Sequence, residues 1–200
     1  MAAAHETQHH ATNTGIDSRK VLMWIFLASE CLFFGALIST YLIFEGESVV
    51  PPIRGEGFEF NFVVTSISTF VLLMSSLTMV LAVYGAQHGR LGMMKVMLLA
   101  TILMGLTFLG FQVFEFTEFY HHGLGFTTNQ FGSSFYVLTG FHGTHVGVGV
   151  LYLISMLMAS NRRTGLGNDR ALHIDIAGLY WHFVDIVWII IFTVIYLIPA

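Results

Sequence analysis

The stretch Tyr180-Trp181-His182-Phe183-Val184-Asp185-Ile186-Val187-Trp188 decides how this chain folds. It lies inside an otherwise apolar run from Ile174 to Ile198, longer than the ~20 residues a helix needs to cross a bilayer. His182 and Asp185 are three residues apart and so share a helix face. In hydrocarbon each polar group costs free energy unless it meets a partner, so that face has to point into protein. The partners must come from other helices.

Outward from this stretch the chain stays apolar. Of its 200 residues 55% are hydrophobic and 10% charged, with a mean hydropathy of +0.73. A soluble domain carries about a quarter charged residues, so the composition is that of an integral membrane protein, and no nucleic-acid partner is expected. The net charge of -4 says less than where the charges sit. The single cysteine, Cys31, falls in an apolar helix. It excludes an internal disulfide and any CxxC motif, and reads as a small packing residue. Residues Met1 to Ser18 are polar, carry His5, His9 and His10, and lack the apolar core of a signal peptide. They are expected to form a disordered tail, with residues 19–200 as one membrane domain.

Five segments are long and apolar enough to span: about Lys20 to Phe44, Asn61 to Ala86, Leu91 to Tyr120, Ser133 to Ala159 and His173 to Ile198. The connections Glu45 to Phe60 (with Pro51-Pro52), Gln87 to Arg90, His121 to Gly132 and Ser160 to Leu172 are polar or rich in turn formers. With the N-terminus in the cytoplasm, Arg19, Lys20, Arg90, Lys95, Arg162, Arg163 and Arg170 all fall on the inner side and only Arg54 outside. Positive charge collects on the cytoplasmic side of membrane proteins, so the C-terminus is expected outside. The fold class is all-α, an integral membrane bundle of five transmembrane helices.

Polar residues inside the spans are the candidates for function. Glu30 sits about ten residues, or ~15 Å, from the inner end of the first span. A carboxylate there is costly unless protonated or paired. It reads either as a neutral acid bonded to a neighbouring helix or as a group on or beside a proton path. The second span has hydroxyls (among them Thr65, Ser68, Thr69, Ser75, Ser76 and Thr78) and no ionisable group, a pattern of close helix contact. Gln112, Glu115 and Glu118 recur every three residues near the outer end of the third span. His142 and His145 follow in the fourth, among Gly140, Gly143, Gly147 and Gly149. By depth, these groups together with His182 and Asp185 make a polar seam.

Two readings of the seam compete. Carboxylates and imidazoles on three helices are the ligand types of a di-iron centre, but such bundles use Glu-x-x-His on two helices. Here Glu115 is followed at three residues by Glu118, and Glu118 by His121, so the pattern is not found on two helices. The other reading is a set of interhelical hydrogen bonds and neutralised charge pairs. A proton-coupled transporter would show internal repeats or broken helices, and neither is visible. A haem–copper centre needs two axial histidines on one haem, one on a second and three on copper. Only His142, His145 and His182 lie well within spans, the others (His5, His9, His10, His88, His121, His122 and His173) being in the tail, in connections or at a helix end. No metal site and no catalytic residue is expected in this chain.

Longer motifs point to a family. Phe135-Tyr136-Val137-Leu138-Thr139-Gly140-Phe141-His142-Gly143-Thr144-His145-Val146 resembles the GFHGxHV helix of subunit III of haem-copper oxidases, and Tyr180 to Trp188 resembles its WHFVDxVW helix. Ser29-Glu30 resembles the family's buried glutamate, and Gln112-Val113-Phe114-Glu115-Phe116 its QxxEY segment, with Phe116 in place of tyrosine. The likeness runs from about residue 19 to 198. It implies a subunit without haem or metal that packs on the catalytic subunit I, beside subunit II and a small subunit IV. Haem and copper are then held by partner subunits, and phospholipid in a cleft. The resemblance also implies support of proton uptake and oxygen access while the complex, a proton-translocating oxidoreductase of the bacterial plasma (inner) membrane, reduces dioxygen. Mitochondrial members have two further spans before these five. By the same resemblance, Glu30 is the buried carboxylate on the proton and oxygen side. Glu115, Glu118, His142, His145, Trp181, His182 and Asp185 set conformation and line the cleft. Arg162, Arg163, Arg170 and His173 sit where anionic headgroups lie, or simply mark topology. Cytochrome c is the expected donor to an aa3/caa3-type complex. A bo3-type quinol oxidase is the alternative, a subunit of nitric-oxide reductase a more distant one, and a di-iron membrane oxidase the reading outside the family.

Overall fold

Apolar side chains at nearly every position leave the backbone one way to satisfy its own N–H and C=O groups in hydrocarbon, which is to form helices. The computed structural model describes residues 15, 17–45, 59–121, 125–127, 129–161, 167 and 169–197, and among them the regular structure is helical throughout. The helices are α1 (Ser18–Glu45), α2 (Glu59–Gln87), α3 (Leu91–His121), α4 (Gln130–Asn161) and α5 (Arg170–Phe192), the last continuing as a π turn over Thr193–Leu197. All five are long and apolar enough to cross a membrane. The expected spans match these ends to within about three residues, the usual fraying uncertainty being one or two. Residues 1–14 of the tail with its three histidines, Pro51, Pro52, Arg54, His122, Arg162, Arg163 and the last three residues lie outside the described set.

Local chemistry fixes the helix ends. Asp17 caps α1, its carboxylate accepting from the Arg19 backbone N–H at 2.9 Å while its carbonyl takes Lys20 and Val21. Between α2 and α3, Gly89 adopts φ +67°, and Arg90 N–H returns to the Gly85 carbonyl at 2.8 Å. This is a left-handed glycine stop that turns the chain sharply. Gly85 also lets the two helices touch, since a Cβ there would lie 2.9 Å from the Met94 backbone nitrogen. The α2–α3 hairpin is accordingly the most extensive helix pair.

The last helix is the core of the bundle. α5 is the most enclosed helix and α1 the least. It packs on α1, α2 and α4, and its two tryptophans reach α3 as well. Trp181 is 1% exposed. Its ring passes between two helices at positions that only glycine leaves open: a Cβ on Gly105 of α3 would be 2.7 Å from the indole, and one on Gly149 of α4 3.0 Å. Trp188, 2% exposed, meets Phe108 edge-on at 4.8 Å. At the end where α1 and α5 both begin, Lys20 pairs with Asp175 at 2.6 Å and Arg19 with Asp169 at 2.9 Å. Exposed pairs of this kind are screened by solvent and contribute little, so the tie positions more than it stabilises.

The glycine clamp on Trp181 has a direct test. Gly105→Ala forces the indole to move, and overpacking of this kind costs about 1–3 kcal/mol. Gly110→Ala on the same helix meets open space and gains about 1 kcal/mol of helix propensity. Thermal unfolding in mild detergent should therefore shift down for the first variant and stay level or rise for the second.

Candidate functional site

The polar groups expected inside the bundle are present, and the structure divides them into separate pairings. Toward the far end of the bundle, away from the Lys20–Asp175 tie, Glu115 of α3 is 7% exposed. Its Oε1 accepts from the Thr65 hydroxyl of α2 at 2.7 Å and from the Tyr196 phenol of the π turn by a short hydrogen bond. One carboxylate thus joins three elements. One turn earlier, Gln112 Nε2 donates to the Thr139 carbonyl of α4 at 2.7 Å. Gly143 makes room for this amide, since a Cβ there would stand 2.5 Å from Gln112 Oε1. Glu118 follows on α3, half-buried.

Near the middle of α1 and α4, Glu30 Oε2 lies 3.2 Å from His145 Nε2. The other imidazole nitrogen, Nδ1, is 2.7 Å from the Phe141 carbonyl. A carbonyl only accepts, so Nδ1 carries a proton. Glu30 Oε2 has no hydrogen-bond partner among the described residues, and Glu30 and His145 form an acid–base contact across α1 and α4. Tyr180 of α5 donates to the His145 carbonyl at 3.0 Å, and Phe34 stands edge-on to the imidazole at 5.0 Å. His142, one turn away, is fully buried with its ring stacked on Trp188 at 4.8 Å and Phe108 edge-on at 5.9 Å. Neither of its nitrogens has a hydrogen-bond partner among the described residues. It is a packing aromatic as much as a polar group.

Between α2 and α5 a third set of bonds forms. Trp181 Nε1 donates to Ser75 Oγ and Trp188 Nε1 to Thr69 Oγ1, both at 2.9 Å. His182 Nδ1 and Ser76 Oγ are 2.5 Å apart, and Asp185, 3% exposed, has no hydrogen-bond partner for either carboxyl oxygen among the described residues. At the beginning of the bundle, His173 Nδ1 donates to the Asp169 carbonyl at 2.9 Å, and its Nε2 is 3.4 Å from the Arg19 guanidinium. Arg170 is partly buried beside it. Among the described residues no three His, Cys, Asp or Glu side chains converge as a metal site requires.

Depth read from the sequence puts the glutamates and histidines at compatible levels, but not on common partners. Glu30 meets His145, Glu115 meets Tyr196 and Thr65, and His182 meets Ser76, so the seam is a set of local contacts. Three participants escaped the sequence reading. Tyr196 lies past the last quoted motif, and the π turn shifts its register in a way that helical periodicity does not anticipate. Asp169 and Asp175 pair with Arg19 and Lys20 from the other end of the chain, a proximity that no local pattern carries.

Removing the phenol tests the far-end cluster. Tyr196→Phe leaves the buried Glu115 with one donor fewer and should destabilise by about 1–3 kcal/mol, the cost of an unmade buried bond. In a Glu115→Gln background the same change should cost less, and a double-mutant cycle read by thermal unfolding measures the difference.

The chain matches the family model of cytochrome c oxidase subunit III over residues 2–199. It is 41% identical over 174 residues to cytochrome c oxidase subunit 3 of Bacillus sp. (strain PS3), covering 87% of this chain and 83% of that one. Cytochrome c oxidase subunit 3 of Bacillus subtilis (strain 168) is also 41% identical, over 175 residues and the same shares. The probable quinol oxidase subunit 3 of Staphylococcus saprophyticus is 38% identical over 197 residues, covering 94% of this chain and 96% of that one. Relatives under both names match most of the chain, so the likeness reaches the subunit and stops short of the electron donor. The chain belongs to the cytochrome c oxidase subunit III family and is a multi-pass plasma-membrane protein, the third subunit of a haem-copper oxidase complex.

Proposed function

We propose that this chain is the non-redox supporting subunit of a proton-pumping cytochrome c oxidase, packed on subunit I with subunit II and a small subunit IV in the same complex. The observation that carries this reading is how its intramembrane polar groups are used. Glu30, Glu115, His145 and His182 are each committed to a neighbouring helix, and His142 is packed against an indole. Groups so engaged hold helices in place and leave electron transfer to the haem and copper of partner subunits. The N-terminus lies in the cytoplasm on this reading, as the lysines and arginines indicate.

The Glu30–His145 pair supports a second part of the proposal, that the subunit assists proton uptake and oxygen access. It is an acid and a base 3.2 Å apart at mid-span, the acid on the helix with the least cover. Beside it, Met23, Phe26, Val148, Tyr152 and Tyr180 line a groove of about 290 Å³ between α1, α4 and α5, apolar enough for an acyl chain. Bound phospholipid is therefore part of the reading, with Arg162, Arg163, Arg170 and His173 on the side expected to meet headgroups.

Cytochrome c is the proposed donor, by the Ser29-Glu30-Cys31 and Gly140 to His145 segments. Quinol is the second reading, favoured by the fuller coverage of the quinol oxidase relatives. Turnover of the purified complex decides between them. Rapid oxidation of reduced cytochrome c, with little oxidation of a quinol, is expected, and the reverse result moves the chain to the quinol branch. Glu30→Gln in the same complex should leave the initial rate of dioxygen reduction near normal and shorten the time for which it is sustained. Immediate loss of turnover would overturn the supporting role.

A further inference from the structure

Polar side chains that face lipid are expected to satisfy themselves, because hydrocarbon offers no partner. The exposed hydroxyls of this bundle do so. Ser29, Ser39 and Thr40 on α1, Thr107 and Thr117 on α3 and Thr144 on α4 each donate to a carbonyl three or four residues earlier in their own helix. These hydroxyls of α1, on the least covered helix, thus need no partner from lipid.

His182 breaks this pattern. Its Nδ1 is held by Ser76 at 2.5 Å. The imidazole is only half-buried, and Nε2 has no hydrogen-bond partner among the described residues. Whichever way the single Ser76 proton points, Nε2 is left with a proton to donate or a lone pair to fill. Around it the surface is apolar: Ile186 and Ile189 follow along the same stripe of α5, and Leu73 and Val80 flank Ser76 on α2, all four exposed. A polar tip fixed in orientation within an exposed apolar face is unsuited to lipid and suited to another helix.

We propose that the α2–α5 face centred on His182 is where a transmembrane helix of a partner subunit docks, presenting a hydrogen-bonding side chain or an open carbonyl to Nε2 at mid-bilayer. The proposal rests on the chain being one subunit of a complex and adds the face and the anchoring atom. Ser76 is a positioning residue here. It holds the ring so that Nε2 points outward. Trp181 and Trp188 hold α2 against α5 from the inner side, so the docking surface is rigid before the partner arrives.

The test uses the intact oxidase purified in mild detergent through a tag on another subunit, with the amount of this chain measured per haem. His182→Asn keeps a polar atom near the Nδ1 position and loses the reach to the partner, whereas His182→Gln places an amide near Nε2. Retention should fall about three- to tenfold for His182→Asn, the effect of one interhelical hydrogen bond, and stay close to wild type for His182→Gln. A second measurement leaves His182 intact: a photoreactive phenylalanine analogue at Ile186 or Ile189 should cross-link to another subunit. Wild-type retention of His182→Asn, or adducts only to lipid from both isoleucine positions in an intact complex, would overturn the proposal. If His182→Asn fails to accumulate, the cross-linking result alone decides. A wild-type chain that brings no haem-bearing partner would instead sink the subunit reading itself.

Discussion

The constraint on which this bundle depends is the indole N–H. Trp181 and Trp188 are large apolar plates that gain by burial, yet each carries one donor that hydrocarbon cannot satisfy. The second helix answers with Ser75 and Thr69. The tryptophans are seven residues apart on α5 and the hydroxyls six apart on an antiparallel α2, spacings of about 10.5 Å and 9 Å along the axes. Both bonds form in one register, and a slip by a single residue would orphan both donors. Glycines on α3 and α4 then let the remaining helices close over the Trp181 ring from either side. Two buried side chains thereby place four helices.

Charge is handled by the same logic. Glu30, Glu115, His145 and His182 are each met by a group from a different helix, so these contacts also mark which helices are neighbours, while His142 and Asp185 have no hydrogen-bond partner among the described residues. Glu115 joins α2, α3 and the π turn, Glu30 and His145 join α1 to α4, and Ser76 joins α2 to α5. This is what the third subunit offers a haem-copper oxidase: a shaped, rigid surface that brings an acid–base pair to a chosen depth.

The spans were legible in the sequence because length and hydropathy are one-dimensional properties, and the central place of the last helix was legible because its tryptophans, histidine and aspartate all demand protein around them. The hydroxyls of the second span were rightly read as close helix contact, though nothing in their spacing named tryptophan as the partner. Azimuth was not legible. Depth put Glu115 and His142 within reach of one another, but the direction in which each side chain leaves its helix sent the first to Tyr196 and the second to Trp188. Tyr196 itself depends on a π turn, whose register no 3.6-residue period reveals. The Arg19 and Lys20 pairs cross 150 and 155 residues of sequence, and a basic doublet read for orientation gives no hint that its counter-charges lie at the other end of the chain.

The placement of α1 has a consequence for how the molecule is made. Its main contacts are with α4 and α5, and its ionic tie is to the start of α5. The first span to leave the ribosome is therefore the one whose neighbours emerge last. Until α4 enters the bilayer, α1 holds a glutamate without its histidine, and until α5 follows, a lysine without its aspartate. The α2–α3 hairpin, by contrast, needs only a tight glycine turn and can close at once. Insertion order and assembly order run in opposite directions, so the newborn chain passes through a stage in which Glu30 must be sheltered by lipid, water or an insertase before its own last helices arrive.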